Sequence, residues 1–373
     1  MYKIEVIKSI ENIDEKEWDS ICKYTISSWG WYAMAEKTKC IRINPRHMII
    51  RKGEEIVAIF PMYIESKNSE FTLINNIIFR GSKLLNKFKL RQYPALICGW
   101  PPSLREKMMF NKKHEKDYQK ITNMFFKEID KIAEEEKIKF SALTYVSSFD
   151  KLKNNVPDNY KIFPYLNGLA YLDNKFETFY DYEMSMKSRD RKRVRREIKK
   201  NKESGVEIIR LNDISGYEKI FAELFLNMLE KYNDTESLKD EEYFKNLNKY
   251  LKGKFTAYIA KLDGEIIGFQ ITLGKEYKHG YMVGLNHEKT KDNFTYFNLC
   301  YYNPIEDMIK EKSKIMFKGF THLYLKQKRG SKLDYPDLMI KTYDNKSKIL
   351  FGILILVKKI KNKIQNITKR KER

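Results

Sequence analysis

Two stretches of the chain alternate branched apolar and polar residues around a glycine, and both read as β-hairpins. The first is "HMIIRKGEEIVAIFPMYIE", turning at Lys52-Gly53-Glu54-Glu55; the second is "FTAYIAKLDGEIIGFQITLG", turning at Asp263-Gly264. Each turn glycine is followed by Glu, then by two branched apolar residues (Ile56-Val57 or Ile266-Ile267) and a small one (Ala58 or Gly268). The repeat of this pattern favours a duplicated module. The surrounding periodicity predicts a strand over Tyr2–Lys8 and helices through Trp18 and Trp31. Pro157, Pro164 and Gly168 mark a crossover near 151–170, and Phe176, Phe179 and Tyr180 start a helix. Ser188 is placed to cap the next helix, whose Val194 and Ile198 lie one turn apart; Gly205 stops it and "VEIIRL" leaves as a strand. An amphipathic helix over Ile214–Tyr232, a strand over Gly280–Leu285, a helix over Phe297–Lys312 and a strand near His322–Leu325 complete an α/β layered unit.

The last segment breaks the pattern. Ile349–Val357 ("ILFGILILV") is apolar on every side, and "KKIKNKIQNITKRKER" follows. Nine apolar residues are too few to span a bilayer, which takes about 20. Two readings stand: a helix buried on the protein, or one lying at a membrane interface with its basic tail on anionic lipid through residues 349–373.

Composition adds a partner class. Lys and Arg number 72 against 50 Asp and Glu, a formal net charge of +22, which favours a polyanionic partner. Cys22, Cys40, Cys98 and Cys300 are scattered and read as reduced thiols of a cytosolic protein. The charged start "MYKIEVIKSIENIDEKEW" leads to no expectation of a signal peptide. His47, His114, His279, His287 and His322 form no HExxH or HxH, so no metal is expected.

The charge is densest over 188–205, "SRDRKRVRREIKKNKESG", where nine Lys and Arg face only Asp190, Glu197 and Glu203. Like pairs at i,i+4, such as Arg191–Arg195 and Arg195–Lys199, destabilise a helix unless an anion relieves them. Arg191, Arg195 and Lys199 are therefore the candidate phosphate-binding face; a solvated charged face is the alternative. No helix-turn-helix, zinc finger or basic zipper accompanies it, which argues against sequence-specific DNA readout.

Several segments are similar to a known group. "ETFYDYEMSMKSRDRKRVRREIKKNKESGVEI", "CYYNPIEDMI" and "KQKRG" resemble, in order and spacing, elements of the peptidoglycan biosynthesis/recognition proteins, which stand with the Fem-type peptidyltransferases in the GNAT superfamily. "FPMY" and "WPP" are looser matches, and the main coverage runs over 176–343. The resemblance implies two tandem GNAT-like modules, 1–165 and 166–345, each a mixed, mainly antiparallel sheet flanked by helices, with 346–373 as a C-terminal helix or tail. It implies a cytoplasmic enzyme, peripheral to the membrane in one reading, that forms an amide on an anionic envelope precursor carried on a nucleotide or lipid diphosphate. Departures stand out: Asn298 where relatives tend to carry Glu, Tyr324-Leu325 where they tend to carry Glu-His, and Ile340-Lys341-Thr342 near their downstream His.

The same resemblance suggests roles. Lys326, Arg329 and Gly330, placed just after the predicted strand, become a phosphate or carboxylate clamp. Tyr301 and Tyr302, on the helix from Phe297, either fill the core or, as the resemblance implies, offer hydroxyls to the reacting amine or leaving group. Spacing rather than the resemblance offers Glu306, one turn beyond Tyr302, to orient an amine, and Asp337, between Pro336 and Leu338, as a candidate base. Amide formation needs a positioned amine, a proton acceptor and oxyanion donors rather than a covalent triad. CoA-using relatives cradle pyrophosphate on a Gly-rich loop, because glycine lets backbone N–H groups reach the phosphate. Here "GLNHEKTKDNFTYFN" has no glycine after Gly284, which raises aminoacyl-tRNA as donor against acyl-CoA; no bound cofactor is expected. Two alternatives remain, a CoA-dependent N-acyltransferase acting on a small amine and a non-catalytic polyanion-binding protein of the same fold.

Overall fold

Both hairpins form, and each is distorted at the same point. The computed structural model describes residues 1–38, 44–66, 78, 92–99, 108–147, 150–163, 168–232 and 239–371, with side chains to residue 360. The N-terminal half supplies β1 (Tyr2–Ile7), β2 (His47–Lys52), β3 (Glu55–Phe60), β4 (Met62–Glu65), β5 (Ala95–Cys98), β6 (Met109–Phe110), β7 (Phe140–Val146) and β8 (Lys161–Phe163). The C-terminal half supplies β9 (Leu169–Asp173), β10 (Glu207–Leu211), β11 (Phe255–Leu262), β12 (Glu265–Leu273), β13 (Tyr277–Leu285), β14 (Ile315–Phe317), β15 (Lys332–Asp334) and β16 (Asp337–Thr342).

In the β2–β3 hairpin the turn rests on Gly53 (φ 62°), and in β11–β12 on Asp263 (φ 50°) and Gly264 (φ 81°), the left-handed pair a two-residue loop requires. Register slips between Ile50 and Arg51 in one hairpin and between Ala260 and Lys261 in the other. The residues left over are Val57 and Ile267, the second branched apolar residue after each Gly-Glu. A bulge increases the local twist of a ribbon, so both hairpins bend at equivalent places.

Strand order shows how the halves are joined. One sheet runs β1-β2-β3-β6, a second β4-β5-β7-β16-β8 and a third β10-β11-β12-β13-β14-β9-β15. β5 and β7 are parallel, as are β13 and β14. Beyond the parallel pair β5–β7 lies β16, a strand from the end of the other half, and beyond β13–β14 lies β9, the first strand of the same half. β9 follows β8 in the chain yet sits between β14 and β15, while β16 follows β15 yet sits between β7 and β8. β9 therefore stays with its own half, and the strand exchange is β16 alone joining the N-terminal sheet. One strand therefore reaches across the division at 165/166: Asp337–Thr342, expected within the C-terminal half, pairs with β7.

The halves also pack directly. The helix Trp29–Lys37 meets the helix Glu241–Tyr250, and a Cβ on Gly30 would stand 2.2 Å from the Tyr250 carbonyl oxygen, so only glycine fits. Trp31 stands edge-on to Tyr281 (5.2 Å) and Tyr24 to Tyr277 (4.8 Å). Lys254 reaches Asp19 at 2.8 Å.

Three local expectations change. The basic helix spans Ser188–Glu203 with Lys187 at its N-cap, so Ser188 is its first residue and caps nothing. Gly205 (φ 74°) does end it. The segment expected as a strand near His322–Leu325 is a helix, Leu323–Gln327. Its one buried residue is Lys326, and Arg329 is buried in the turn that follows; both are charged and so invisible to a hydrophobic pattern. The helix expected over Phe297–Lys312 is interrupted: Asn298–Tyr302 is a π turn before the helix Asn303–Lys310. Pro304 has no N–H for the Cys300 carbonyl, and the ladder opens there. "WPP" at 100–102 and Cys40 lie outside the described residues.

The exchange leads to an expected outcome. Expressed alone, residues 1–165 lack the strand between β7 and β8 and should be insoluble, since bare sheet edges associate; co-expressed with 166–373 they should copurify as a soluble pair. Size-exclusion chromatography of the two preparations checks this, and a monomeric, cooperatively melting 1–165 fragment would contradict it.

Candidate active site

β13 and β14 pair only over Tyr277–His279 and Ile315–Phe317, after which β13 continues to Leu285 and β14 ends. A cavity of about 180 Å³ opens where they part. Its walls come from Gln270 and Thr272 of β12, Tyr281 of β13, Tyr296, Cys300 and Tyr301 of the interrupted helix, and Lys318 and Lys326. Tyr281 is the extra residue of a further slip, between the pairs Ile271–Met282 and Thr272–Gly280. Thr272 donates to the Gln270 side-chain oxygen (3.0 Å), whose amide donates to the Ile271 carbonyl (2.8 Å), so this wall is rigid and polar.

Lys318 dominates the cavity. It is buried, its ammonium lies 4.4 Å from the centre of the Tyr301 ring, and Nζ has no hydrogen-bond partner among the described residues. Burial pulls its pKa down to about 7. Lys326, also buried, donates from Nζ to the Lys318 carbonyl, and burial lowers it to about 8. Gly319 (φ 74°) makes the sharp turn between them. Burial pushes the Cys300 thiol up to about 12, so it stays protonated, and raises Tyr296 and Tyr301 as well. A neutral amine among protonated hydroxyls is a proton acceptor ready for an incoming nucleophile.

The π turn sends consecutive tyrosines to different places. Tyr301 lines the cavity; the Tyr302 hydroxyl donates to Glu197 of the basic helix and accepts from Arg329 Nε at 2.9 Å. Arg329 is 1% exposed, its terminal nitrogen lies 2.7 Å from both Glu197 oxygens, a further N–H reaches the Leu325 carbonyl at 3.0 Å, and its guanidinium lies 3.6 Å from the Phe297 ring centre. Every face of this guanidinium is taken, so Arg329 clamps the protein rather than a phosphate. Asn298 joins the same knot, donating to the carbonyls of Glu197 (3.3 Å) and Phe294 (3.1 Å). Gly330 (φ 79°) turns the chain beneath Tyr182, whose hydroxyl donates to the Arg329 carbonyl. Glu306 pairs with Lys310 (2.8 Å) on the surface, and Asp337 pairs with Lys153 (2.7 Å) on β16; neither lines the cavity. Of the residues singled out from sequence, the structure brings Tyr301 and Lys326 together here.

The basic helix buries Asp190, Val194, Glu197 and Asn201. The face expected to bind phosphate is engaged locally: Arg195 with Glu183 (2.9 Å), Lys199 with Glu203 (3.6 Å), Arg191 with the Met186 carbonyl (3.4 Å). Among the described residues, Arg189, Lys192, Arg196 and Lys200 form no ion pair; their spacing lines them along one stripe. Arg196 and Lys200 flank Phe294, two residues before the cavity residue Tyr296.

A family model for FemAB-like proteins of peptidoglycan biosynthesis/recognition matches residues 9–332. The chain belongs to the FemAB-like family. Searched by sequence, no curated protein matches it. Among solved structures, FemX superposes with a TM-score of 0.60 at 12% identity, covering 92% of this chain and 98% of that one. The C-terminal domain of a putative lysylphosphatidylglycerol synthetase from Agrobacterium fabrum gives 0.55 at 11%, covering 93% and 97%. A tandem GNAT protein from the clavulanic acid pathway gives 0.50 at 9%, covering 92% and 98%. At these identities the likeness is one of fold: this FemAB-like chain shares the fold of FemX and of a tandem GNAT protein.

Sequence reasoning missed Lys318, Tyr296, Cys300 and Gln270 around the FemAB-like cavity. Lys318 had a signal, a lone lysine inside the apolar run Ile315–Phe320. Glu197 had one too, as an acid on the same helical face as Val194.

The two charged sets should separate by mutation. Glu197→Ala leaves the Arg329 charge buried without its counter-charge and should cost about 3–5 kcal/mol in urea unfolding. Lys318→Met removes a buried group that is costly to charge and should leave stability at pH 7 equal or higher. Destabilisation by Lys318→Met as large as that of Glu197→Ala would show that Lys318 is a structural group instead.

Proposed function

We propose that this FemAB-like protein forms an amide by N-acyl or N-aminoacyl transfer onto an amine of a peptidoglycan-type precursor, in the cavity at Lys318. The observation that carries the reading is the buried, unpartnered lysine where β13 and β14 part. The acceptor amine gives a proton to neutral Lys318 and attacks the acyl carbon of an ester or thioester. The tetrahedral oxyanion is met by hydroxyl and ammonium donors at the wall, Tyr301 and Lys326 among them. The attack forms the C–N bond; collapse restores the carbonyl and breaks the bond to the leaving oxygen or sulfur, to which Lys318 returns the proton. The cavity admits about six water volumes of about 30 Å³ each, enough for the reacting junction alone. The rest of the donor and acceptor lies outside it.

An aminoacyl-tRNA ester is the donor this structure favours over CoA. After β13 three backbone amides are already in use: Lys289 N–H on the Asn286 side chain (3.2 Å), Thr290 N–H on the Asn286 carbonyl (3.1 Å), and Thr295 N–H on the Asn293 side chain (3.2 Å). Asn201 of the basic helix then ties down the Asn293 carbonyl (2.9 Å). A loop with these N–H groups engaged makes a poor pyrophosphate cradle. The stripe Arg189, Lys192, Arg196 and Lys200 instead offers a backbone-phosphate track toward the cavity. The family's description, biosynthesis/recognition, agrees with an envelope precursor as acceptor.

Transfer of radiolabelled amino acid from charged tRNA, and of acyl groups from CoA thioesters, onto nucleotide- and lipid-linked precursors tests the reaction. Lys318→Met should lower the single-turnover rate by about 10²–10⁴. Because the Lys318 pKa is depressed, the amine is free only above about pH 7, so the wild-type rate should climb through that pH and level off above it. The limb should vanish in the variant. Absence of transfer from both donors would overturn the reading.

The tRNA track has its own measurement. Changing Arg189, Lys192, Arg196 and Lys200 together to Gln should flatten the slope of log affinity against log salt by about 3, at roughly 0.7–0.9 per phosphate contact. Changing Arg191, Arg195 and Lys199 should move it by less than about 1. Equal slopes in the two variants would remove the track.

A further inference from the structure

The C-terminal helix has two apolar faces, and only one is used. It spans Asn345–Lys371, about 40 Å at 1.5 Å per residue. On one side Ser347, Phe351 and Leu354 are buried, with Phe351 against Phe140 of β7 (4.8 Å) and Phe163 of β8 (6.3 Å). On the opposite side Ile349, Ile353, Leu356, Val357 and Ile360 stand 48–65% exposed. Spacings of four, three and four residues put Ile349, Ile353, Leu356 and Ile360 on one stripe, and Ile364 and Ile367 continue it in sequence. A soluble surface rarely leaves so continuous an apolar stripe uncovered.

The charge on the same helix says what covers it. Between Asn345 and Lys371 there are nine Lys and Arg and no Asp or Glu. A second copy of this helix would bring nine like charges against nine, which opposes self-association. A bilayer carrying anionic headgroups supplies hydrocarbon for the stripe and opposite charge for the flanks at once. Among the described residues no helix is long and apolar enough to cross a membrane, so the helix would lie in the plane of the surface.

We infer that the Asn345–Lys371 helix is an in-plane anchor for an anionic lipid surface, inserting the Ile349–Ile360 stripe while its Phe351–Leu354 face holds it to the N-terminal half. The inference does not rest on the transfer reaction. The full chain is tested by flotation with vesicles of phosphatidylcholine alone or with about 30% phosphatidylglycerol. The wild type should favour the anionic vesicles at least about tenfold, with the preference falling as salt rises. Ile353→Glu combined with Ile360→Glu should lower binding at least about tenfold. Ile353→Ser with Ile360→Ser, which leaves the charge intact, should lower it less but measurably. Both side chains are exposed, so the thermal melt should not move. A Leu356→Trp variant adds an independent readout, with extra tryptophan emission quenched by brominated lipid. The inference is overturned if the wild type ignores anionic vesicles, if the Ser pair binds as the wild type does, or if sedimentation shows a wild-type dimer that the Glu pair makes monomeric.

Discussion

A carboxylate shut away from water organises the C-terminal half. Glu197 accepts from both Arg329 and Tyr302, joining the basic helix, the π turn and the chain after Leu323–Gln327 at one buried point. Burying two opposite charges is costly, and the pair holds because its hydrogen bonds are filled. The position of Tyr301 on the cavity wall depends on Tyr302, its neighbour, being held on the other side. The same contact shapes the surface. Asp190 and Glu197 both turn inward, so the outer side of the basic helix is left with positive charge that little on the helix itself cancels.

The two halves are built alike, and a single position marks where they part in chemistry. In the N-terminal half the last parallel pair is Cys98 with Leu143; the next residue, Thr144, places its hydroxyl 3.3 Å from the carbonyls of Cys98 and Gly99. In the C-terminal half the last parallel pair is His279 with Phe317, and the next residue is Lys318. Each is followed by a left-handed residue, Tyr145 (φ 53°) or Gly319 (φ 74°). The scaffold thus offers the same kink twice, just past the end of each parallel pairing. One copy fills it with a satisfied hydroxyl and the other with an amine that has none of its hydrogen bonds made.

What could be read in the sequence follows from what burial pattern can express. The hairpins at Gly53 and Asp263-Gly264 were legible because turn chemistry and alternation are local. So was the stop at Gly205. The helix Leu323–Gln327 was not, because its inward residue is Lys326 and the turn after it buries Arg329, and a charged core reads as a solvated turn. Tyr302 and Arg329 were singled out as polar residues with a task, which they have, but the task is holding Glu197. Tyr301 and Lys326 lie in the cavity, whereas Lys318 was overlooked between Phe317 and Gly319, where it looks like an interruption in a strand. The strand exchange was out of reach, since pairing Phe140 with Thr342 leaves no mark on either segment alone.

That exchange has a bearing on synthesis. β7 leaves the ribosome long before β16, and its partner position stays empty while nearly the whole second half is made. Contacts this distant in sequence are slow to close and leave sheet edges open meanwhile. The seven residues of β7 are all buried in the finished protein, so the nascent chain carries a sticky apolar strand for much of its translation. Vectorial folding, one half and then the next, is closed to this topology. Holdase chaperones should find their binding segment at Phe140–Val146, and release should wait for residues 337–342 to emerge.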